Sequence, residues 1–327
     1  HESRGLGDVY KRQSMFKAAI IGGMGYGGAE LIRQLLQHSD VSLERVVAID
    51  NVGKNLGEVH YNLRDRTDLV FEEMSPKDAA DGMDIVLLGL PHKVSATMTP
   101  ELLETGVKIV DMSGDFRLRD LATYEKYYNI KHPRPDLLGT FVYGLPELNR
   151  DAIRDAQCVA SPGCFATCVA VGLLPFAKAG LINQRVRTVA ATGSSGSGAY
   201  ASAGTHHPYR SANLKIYSPL DHRHMPEIKQ TMGDAGVSDA FHLDFVPMSA
   251  PLVRGILGTS IFDVPADWDE AKIDALYEET FADAPFIKVV KGRYPETVAI
   301  KGTNYIEVGF ALGHEVNGLK SIVATSA

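Results

Sequence analysis

The first half of the chain alternates short apolar runs with amphipathic stretches. The apolar runs cover positions 16–21, 46–49, 85–90 and 107–110. A glycine-rich segment follows the first run, and the stretch after it has apolar residues at Leu31, Ile32, Leu35 and Leu36. This spacing is typical of a helix that buries one face, and a second helix-like stretch spans 95–105. Strands that alternate with helices predict an α/β fold with a Rossmann-type, doubly wound parallel sheet.

The pattern changes after position 143. A long apolar segment at 165–179 predicts a buried helix, and strand-like runs follow it at 188–191, 241–248, 256–262, 286–290 and 305–311. Few helices separate these runs. Asn317-Gly318 favours a two-residue hairpin, since both central positions of a type I′ turn need positive φ. The pattern predicts an α+β second domain with a mainly antiparallel sheet, and we place the two domains at 15–160 and 161–327.

Length, charge and cysteine content narrow the class of protein. The 327 residues suggest about two domains. The 33 Lys and Arg against 40 Asp and Glu give a formal net charge of −7, so the cationic surplus that drives nucleic-acid binding is missing. No apolar run nears the roughly 18 residues of a membrane helix. Three cysteines, Cys158, Cys164 and Cys168, fall in one short stretch and form no disulfide framework. We expect a cytoplasmic protein with neither a nucleic-acid nor a membrane partner.

The first fourteen residues differ in character from the rest. They read HESRGLGDVYKRQS and contain no apolar periodicity. They also lack the apolar core of a signal peptide. We expect them to be a non-native leader, with Met15 as the natural start.

The glycine-rich turn after the first predicted strand carries a variant of the dinucleotide-binding fingerprint. Its GxxGxxG pattern consists of Gly22, Gly25 and Gly28. The first glycine permits a tight turn, the second lets a pyrophosphate approach the backbone, and the third lets helix and strand pack closely. A glycine-rich turn without a ligand is the alternative. Asp50 ends the second predicted strand, where a carboxylate would accept a hydrogen bond from a ribose 2′-hydroxyl and repel a 2′-phosphate, whereas the nearby Lys54 argues for the phosphate.

The segment Ser161-Pro162-Gly163-Cys164 places a thiol where a loop enters the long apolar helix. Unpaired N–H groups and the helix dipole stabilise a thiolate there. An inert buried cysteine is the alternative from this segment alone. Cys158 and Cys168 are predicted core residues, and no zinc-ligand spacing is present, so we expect no metal.

Ten ordered motifs are distributed from Met15 to the end of the chain. They are GGMGYGGAEL (22–31), GKNLGEVH (53–60), LPHKVS (90–95), DMSGDFRLRD (111–120), YGLPEL (143–148), SPGCFAT (161–167), TGSSGSG (192–198), HRHMPEI (222–228), RGIL (254–257) and GTN (302–304). Together they resemble the N-acetyl-γ-glutamyl-phosphate reductases of arginine biosynthesis, relatives of aspartate-semialdehyde dehydrogenase. The resemblance implies a nicotinamide-dependent reduction of a small acyl phosphate to an aldehyde, with release of phosphate, by a homo-oligomer, a dimer or a tetramer.

The resemblance also implies roles for individual residues. Cys164 corresponds to the nucleophile that forms a thioacyl intermediate, and His222 to the acid/base that activates the thiol and protonates the hemithioacetal oxygen. His222 and His224 alternate along the chain, so in an extended segment they face opposite ways. The residues implied to bind substrate are Ser113, Arg117, His224, Glu227 and Arg254. Those implied to bind the cofactor are Gly22, Gly25, Tyr26, Gly27, Gly28, Ser194, Gly196 and Asn304, with Gly193 and Gly198 in the loop near the nicotinamide.

Two departures from the family pattern concern the cofactor and the C-terminus. The resemblance implies NADP, whereas Asp50 leaves NAD open. Family members continue beyond the equivalent of the IVAT segment into a long helix that returns to the cofactor domain. We expect that helix to be absent from this chain.

Several alternatives stay open beside this interpretation. One is the reductase for the one-carbon-longer N-acylaminoadipyl phosphate of lysine biosynthesis, which shares these motifs. Aspartate-semialdehyde dehydrogenase fits less well because of the HRHMPE block. A non-catalytic dinucleotide-binding sensor, or a hydrolytic zinc enzyme using Cys164, His222 and His224, belongs to a different class.

Overall fold

The computed structural model describes residues 15–182 and 184–327. The expectation that residues 1–14 form a leader lies outside the described residues. The chain divides into two compact units. Within the described residues the first unit holds 15–125, 130–144 and 151–161, and the second holds 126–129, 145–150 and the rest of the chain from 162. In neither unit does the structure describe a helix with the length and apolar character needed to cross a membrane.

The first unit is built on a seven-stranded, wholly parallel sheet. Its strands are β1 (Phe16–Ile21), β2 (Val41–Val47), β3 (Phe71–Glu72), β4 (Ile85–Leu88), β5 (Lys108–Asp111), β6 (Val142–Tyr143) and β7 (Cys158–Ala160). The helices over this stretch of chain are α1 (Tyr26–Leu35), α2 (Leu56–Val59), α3 (Pro76–Ala80), α4 (Val94–Glu104), α5 (Leu121–Tyr128) and α6 (Pro146–Asp155). The strand order is β3-β2-β1-β4-β5-β7-β6. The predicted Rossmann-type parallel sheet is confirmed.

Both faces of this sheet are covered by apolar side chains. Along β1, Ala18 and Ile20 belong to one buried cluster, and Ala19 and Ile21 belong to another. Successive side chains of a strand point to opposite faces, so the two clusters lie on opposite sides of the sheet. Parallel sheets are normally buried in this way, which explains the unbroken apolar runs in the sequence.

The second strand is longer and ends earlier than its apolar run predicts. It spans Val41–Val47, where buried Leu43 alternates with exposed Glu44. The predicted run at 46–49 missed this alternation, and Ile49 is 86% exposed beyond the strand. Asp50 therefore lies in the loop after β2 and not at its end.

The second unit combines a buried helix with a mixed, mostly antiparallel sheet. Its strands are β8 (Arg185–Thr192), β9 (Lys215–Ile216), β10 (His242–Ser249), β11 (Ile256–Pro265), β12 (Ile287–Val289), β13 (Ile306–Val316) and β14 (Leu319–Ser326). The helices are α7 (Cys164–Lys178), α8 (His207–Arg210), α9 (Met225–Asp234), α10 (Glu270–Thr280) and α11 (Thr297–Ile300). The strand order is β12-β13-β14-β11-β8-β10-β9. The pairs β12–β13 and β8–β10 are parallel and the other four pairs are antiparallel, which confirms the predicted α+β architecture.

Helix α7 packs against one face of this sheet. Its residues from Phe165 to Ala177 are almost all buried, as expected for a helix that is apolar all round. The opposite face of the sheet is exposed in the described chain and carries Val189, Leu257 and Ile261, which are 43%, 36% and 43% exposed. The predicted hairpin joins β13 to β14, with φ of 53° at Asn317 and 76° at Gly318.

Candidate active site

Cys164 is the first residue of α7, directly after the helix N-cap Gly163, and its side chain is exposed. A thiol at this position meets the unpaired N–H groups of the first helical turn, which favour the thiolate. The other two cysteines are buried, and burial raises the pKa of both Cys158 and Cys168 to about 11. Cys164 is therefore the cysteine that can act as a nucleophile.

Two residues of the HRHMPEI motif hold the backbone just before the nucleophile. The Glu227 carboxylate Oε1 accepts a hydrogen bond of 2.5 Å from the Gly163 N–H. A Cβ on Gly163 would lie only 2.5 Å from His224 Nε2. The position therefore requires glycine, and Glu227 touches the loop before the thiol. Its predicted role in binding substrate stays a prediction.

The expectation that His222 and His224 face opposite ways is wrong. The segment is a turn that leads into α9, not an extended strand. In this turn the His224 N–H donates to His222 Nδ1 over 3.1 Å, and the two ring centroids are 4.8 Å apart at 81°. Both rings also contact Phe165, which follows the nucleophile. The two histidines thus form one cluster.

The surroundings of His222 fix its charge and its tautomer. Its ring makes edge contacts with Phe165, Tyr217 and Phe245. Burial, together with the nearby charge of Arg223, lowers the pKa of His222 to about 4. The ring is therefore neutral at pH 7. Since Nδ1 accepts the His224 N–H, the neutral ring carries its proton on Nε2.

A cavity of about 530 Å³ opens at Cys164. Its lining residues are Tyr127, Cys164, Phe165, Thr192, Gly193, Gly196, Ser197, Arg210, Lys215, Tyr217, Ser218, Asp221, His222, Arg223, His224 and Ser249. This volume suits a small molecule. The cavity brings together Cys164, both histidines and two glycines of the TGSSGSG motif, and the roles that the resemblance implies for them stay predictions.

Several cavity residues were not singled out by the sequence analysis. Arg210, Lys215 and Tyr217 come from the stretch between the TGSSGSG and HRHMPEI motifs. Burial raises the pKa of Tyr217 to about 12, so its hydroxyl keeps its proton. The only signal in the sequence is the concentration of histidine, tyrosine and basic residues over 206–217.

The predicted substrate residues of the first unit are held in an internal network. Ser113 donates from its hydroxyl to Asp111. Arg117 is 8% exposed and donates from Nε to the Ser161 carbonyl and from Nη2 to the Met112 carbonyl, each over 2.7 Å. The structure thus gives this part of the DMSGDFR motif a clear structural role. Binding of substrate by Ser113 and Arg117 stays a prediction.

The glycine turn fits a dinucleotide at one position in particular. A Cβ on Gly22, which has φ of 94°, would lie 2.5 Å from the Gly89 carbonyl oxygen, and one on Gly28 would lie 2.5 Å from the Gly22 carbonyl oxygen. Packing within the protein therefore explains both glycines. Gly25 is the N-cap of α1, and a Cβ there would meet nothing within 4 Å. That open space beside the helix N-terminus fits an approaching pyrophosphate, with Gly27 and the half-exposed Tyr26 next to it.

Asp50 and Lys54, which decide between NAD and NADP in the sequence argument, lie in the loop after β2. Both side chains are exposed. The Lys54 ammonium donates to Asn51 Oδ1 over 2.8 Å. This contact does not select one form of the cofactor.

Other predicted residues of the second unit lie outside the cavity wall. Ser194 bonds through its backbone N–H to the Leu252 carbonyl, which ties the glycine loop to the segment before β11. Arg254 and Asn304 are exposed and do not line the cavity. Their predicted contacts with substrate and cofactor stay predictions.

Comparisons with protein families match both parts of the chain. Residues 17–156 match the model for the NAD binding domain of semialdehyde dehydrogenase. Residues 164–326 match the model for the dimerisation domain of semialdehyde dehydrogenase. Together these two models cover most of the chain.

Individual proteins agree with the family models. The chain is 40% identical to a putative [LysW]-L-2-aminoadipate 6-phosphate reductase of Thermomicrobium roseum, over 94% of this chain and 88% of that protein. It is 39% identical to an N-acetyl-γ-glutamyl-phosphate reductase of Saccharophagus degradans, over 90% of this chain and 85% of that protein. Among solved structures, aspartate semialdehyde dehydrogenase II of Vibrio cholerae superposes with a TM-score of 0.70 at 16% identity, covering 95% of this chain and 92% of that one. This last likeness shows the fold.

Proposed function

The chain belongs to the semialdehyde dehydrogenase family, in the branch of N-acetyl-γ-glutamyl-phosphate reductases, and from this membership and its site we propose that it reduces N-acetyl-γ-glutamyl phosphate to N-acetylglutamate 5-semialdehyde with release of phosphate. The observation that carries the proposal is the exposed Cys164 thiol at the start of α7, in a cavity lined also by His222. A cavity of about 530 Å³ suits a substrate of this size.

Cys164 is the proposed nucleophile. Its thiolate attacks the acyl carbon, a C–S bond forms, and the C–O bond to the phosphate breaks, so that a thioester and phosphate result. The proton that the thiol lost on forming the thiolate is taken up by the released phosphate. After reduction, the hemithioacetal collapses to the aldehyde and returns the thiolate, which takes one proton from solution. The exposed position at a helix N-terminus supports this role because it stabilises the anionic sulfur.

His222 is proposed as the group that stabilises the oxygen of the thioester and of the hemithioacetal. Its neutral ring carries the proton on Nε2, so it can donate a hydrogen bond to the developing oxyanion. A neutral imidazole that acts as a donor is a known catalytic device. Abstraction of the thiol proton by Nε2 would require the other tautomer, and therefore the geometry favours the donor role over the base role.

The first unit is an NAD(P)-binding domain, and we propose NADP as its cofactor. When bound, the cofactor supplies the hydride that reduces the thioester carbon. Gly25 and the N-terminus of α1 would hold its pyrophosphate, with Gly22, Tyr26, Gly27 and Gly28 forming the turn. In the second unit, Ser194, Gly196 and Asn304 are proposed to contact the nicotinamide end. Support for NADP comes from the resemblance and from Lys54, while Asp50 favours NAD.

The chain is also proposed to act as a dimer or a larger assembly. Its second unit matches a dimerisation domain. Val189, Leu257 and Ile261 form an exposed apolar patch on the face of the sheet opposite α7. Exposed apolar patches of this kind are typical of protein interfaces. Size-exclusion chromatography with light scattering tests the assembly state, and a lone monomer at micromolar concentration would contradict it.

The reverse reaction tests the proposed activity. N-acetylglutamate semialdehyde, phosphate and NADP or NAD are mixed with the protein, and formation of the reduced cofactor is followed at 340 nm. Turnover must depend on phosphate and must disappear in Cys164→Ser, whereas Cys168→Ser should keep most of it. Undiminished turnover in Cys164→Ser would overturn the mechanism.

A second candidate substrate is favoured by the relative from Thermomicrobium roseum, whose name refers to an aminoadipate phosphate. The same assay with N-acetylaminoadipate semialdehyde separates the two chain lengths. A higher kcat/KM for the longer aldehyde would assign the chain to that reaction.

A further inference from the structure

The cavity at Cys164 is lined by more positive than negative charge. Among the described residues that line it, Arg210, Lys215 and Arg223 are cationic, and Asp221 is the acidic one. No described carboxylate lies within the 4.0 Å of an ion pair from the Arg210 guanidinium or the Lys215 ammonium. Two cations of this cavity wall are therefore not paired with a carboxylate of the described chain.

Arg210 is held in place by the strand that leads into the cavity. Its Nη2 donates to the carbonyl of Thr192, at the end of β8, over 3.1 Å. That carbonyl also accepts from the Ala250 N–H, which joins it to the end of β10. Nε of Arg210 is buried, and no described residue accepts a hydrogen bond from it. The guanidinium is thus positioned by the backbone while part of its donor capacity is unused.

Lys215 adds a second positive charge to the cavity wall from β9, the strand that pairs with β10. In β9 it pairs with Ser249 of β10, another cavity residue. Its ammonium donates to the Tyr209 hydroxyl over 3.1 Å and lies 4.8 Å above the Tyr209 ring. This side chain is exposed and can move, so it contributes attraction more than fixed geometry.

Resting on the proposed function, we propose that Arg210 binds the carboxylate of the substrate that takes no part in the reaction, with Lys215 in support. A guanidinium fork suits a carboxylate through two parallel hydrogen bonds. This carboxylate is present in the acyl phosphate and in the aldehyde, so a fixed anchor holds both through every step at Cys164. The phosphate, in contrast, must leave. Arg210 is thus a specificity-determining residue that selects acyl phosphates bearing a second anionic group.

The reverse reaction separates the two anions, because the aldehyde brings the carboxylate and inorganic phosphate enters on its own. In Arg210→Gln we expect the KM for N-acetylglutamate semialdehyde to rise by about 10- to 100-fold, since a charged hydrogen-bonded pair is lost. The KM for phosphate should change by less than about three-fold, because in this proposal Arg210 makes no hydrogen bond to phosphate that the substitution could remove. In Arg210→Lys, the KM for the semialdehyde should lie between the values for wild type and Arg210→Gln. A rise in the phosphate KM instead would overturn the proposal.

A carboxylate-blocked aldehyde gives a readout that a merely structural role would not move. Wild type should discriminate strongly against the α-methyl ester of the semialdehyde, and Arg210→Gln should treat the ester and the acid nearly alike. Equal discrimination in both proteins would refute the assignment. Arg254→Gln is measured in parallel, because the resemblance implies that Arg254 also binds substrate. If Arg254→Gln loses this discrimination and Arg210→Gln keeps it, the carboxylate is bound by Arg254 and not by Arg210.

The matched control is Arg154→Gln, which removes the same charge from an exposed pair with Asp151. It should leave both KM values unchanged. Calorimetry then measures how tightly wild type and Arg210→Gln bind the semialdehyde and its ester when no turnover takes place. If wild type binds the acid but does not reduce cofactor, the proposed reaction fails while the Arg210 anchor stands. If it turns over normally and Arg210→Gln shows no change, only the anchor fails.

Discussion

Substitution of Gly163 by alanine tests whether the loop before Cys164 depends on close packing against His224. The added Cβ would lie 2.5 Å from His224 Nε2, 2.7 Å from Cε1 and 2.8 Å from Cδ2. Ordinary contacts begin near 3.4 Å, so the buried ring or the loop would have to move by about 1 Å. Overpacking of this kind costs about 1–3 kcal/mol. A displacement of 1 Å near the reacting groups lowers turnover by about 100-fold.

The assay combines turnover in the reverse direction with unfolding in urea. Gly163→Ala should lose both activity and stability, and its cofactor affinity should stay near the wild-type value because the glycine turn is untouched. Gly233→Ala is the control, since Gly233 lies in α9 and a Cβ there meets nothing within 4 Å. That change should be neutral or stabilise by about 0.5–1 kcal/mol. Wild-type turnover and stability in Gly163→Ala would refute the reasoning.

Three further predictions concern the cysteines and the histidine pair. Brief iodoacetamide treatment at pH 8 should alkylate Cys164 alone, since burial keeps the pKa of the other two thiols near 11; peptide mass spectrometry checks this, and equal labelling of all three would contradict it. His222→Asn should lower kcat by about 10²- to 10³-fold, as expected for loss of one oxyanion donor, and His224→Asn by less; a larger loss in His224→Asn would instead assign the donor role to His224. The pKa of His222 is about 4 in the folded chain against about 6.5 when unfolded, so the unfolded state binds the extra proton and stability falls as pH drops from 6.5 to 4. Relative to His222→Gln, wild type should lose unfolding free energy over this window in urea titrations, and parallel pH curves would show that His222 does not contribute.

Local patterns were enough to predict much of the fold. The strand, glycine turn and helix at 16–35 follow from a contiguous apolar run, three glycines and a helical spacing. Asn317 and Gly318 specify their turn through their own φ angles. The thiol at the start of α7 was also visible, because a helix start depends on neighbours in sequence.

Features that depend on distant partners could not be predicted. The resemblance implies that Arg117 binds substrate, and the sequence does not reveal that its Nε donates to the carbonyl of Ser161, 44 residues away. An extended backbone would place His222 and His224 on opposite sides, whereas the turn into α9 brings their rings together edge to face. Arg210 belongs to no motif, and only the folded chain brings it to Cys164.

Helix α7, which begins at Cys164, is hydrogen-bonded to β14, a strand that is synthesised much later. Cys168 lies one turn into α7, and its Sγ is 3.3 Å from the Ser326 hydroxyl oxygen. The same hydroxyl donates a hydrogen bond to the Cys168 carbonyl over 2.8 Å. The two residues are 158 positions apart in the chain. Contacts of such long range form late, because the intervening loop must close first. On the ribosome, this anchor of α7 can therefore form only after β14 has emerged, which follows most of the second unit in the chain.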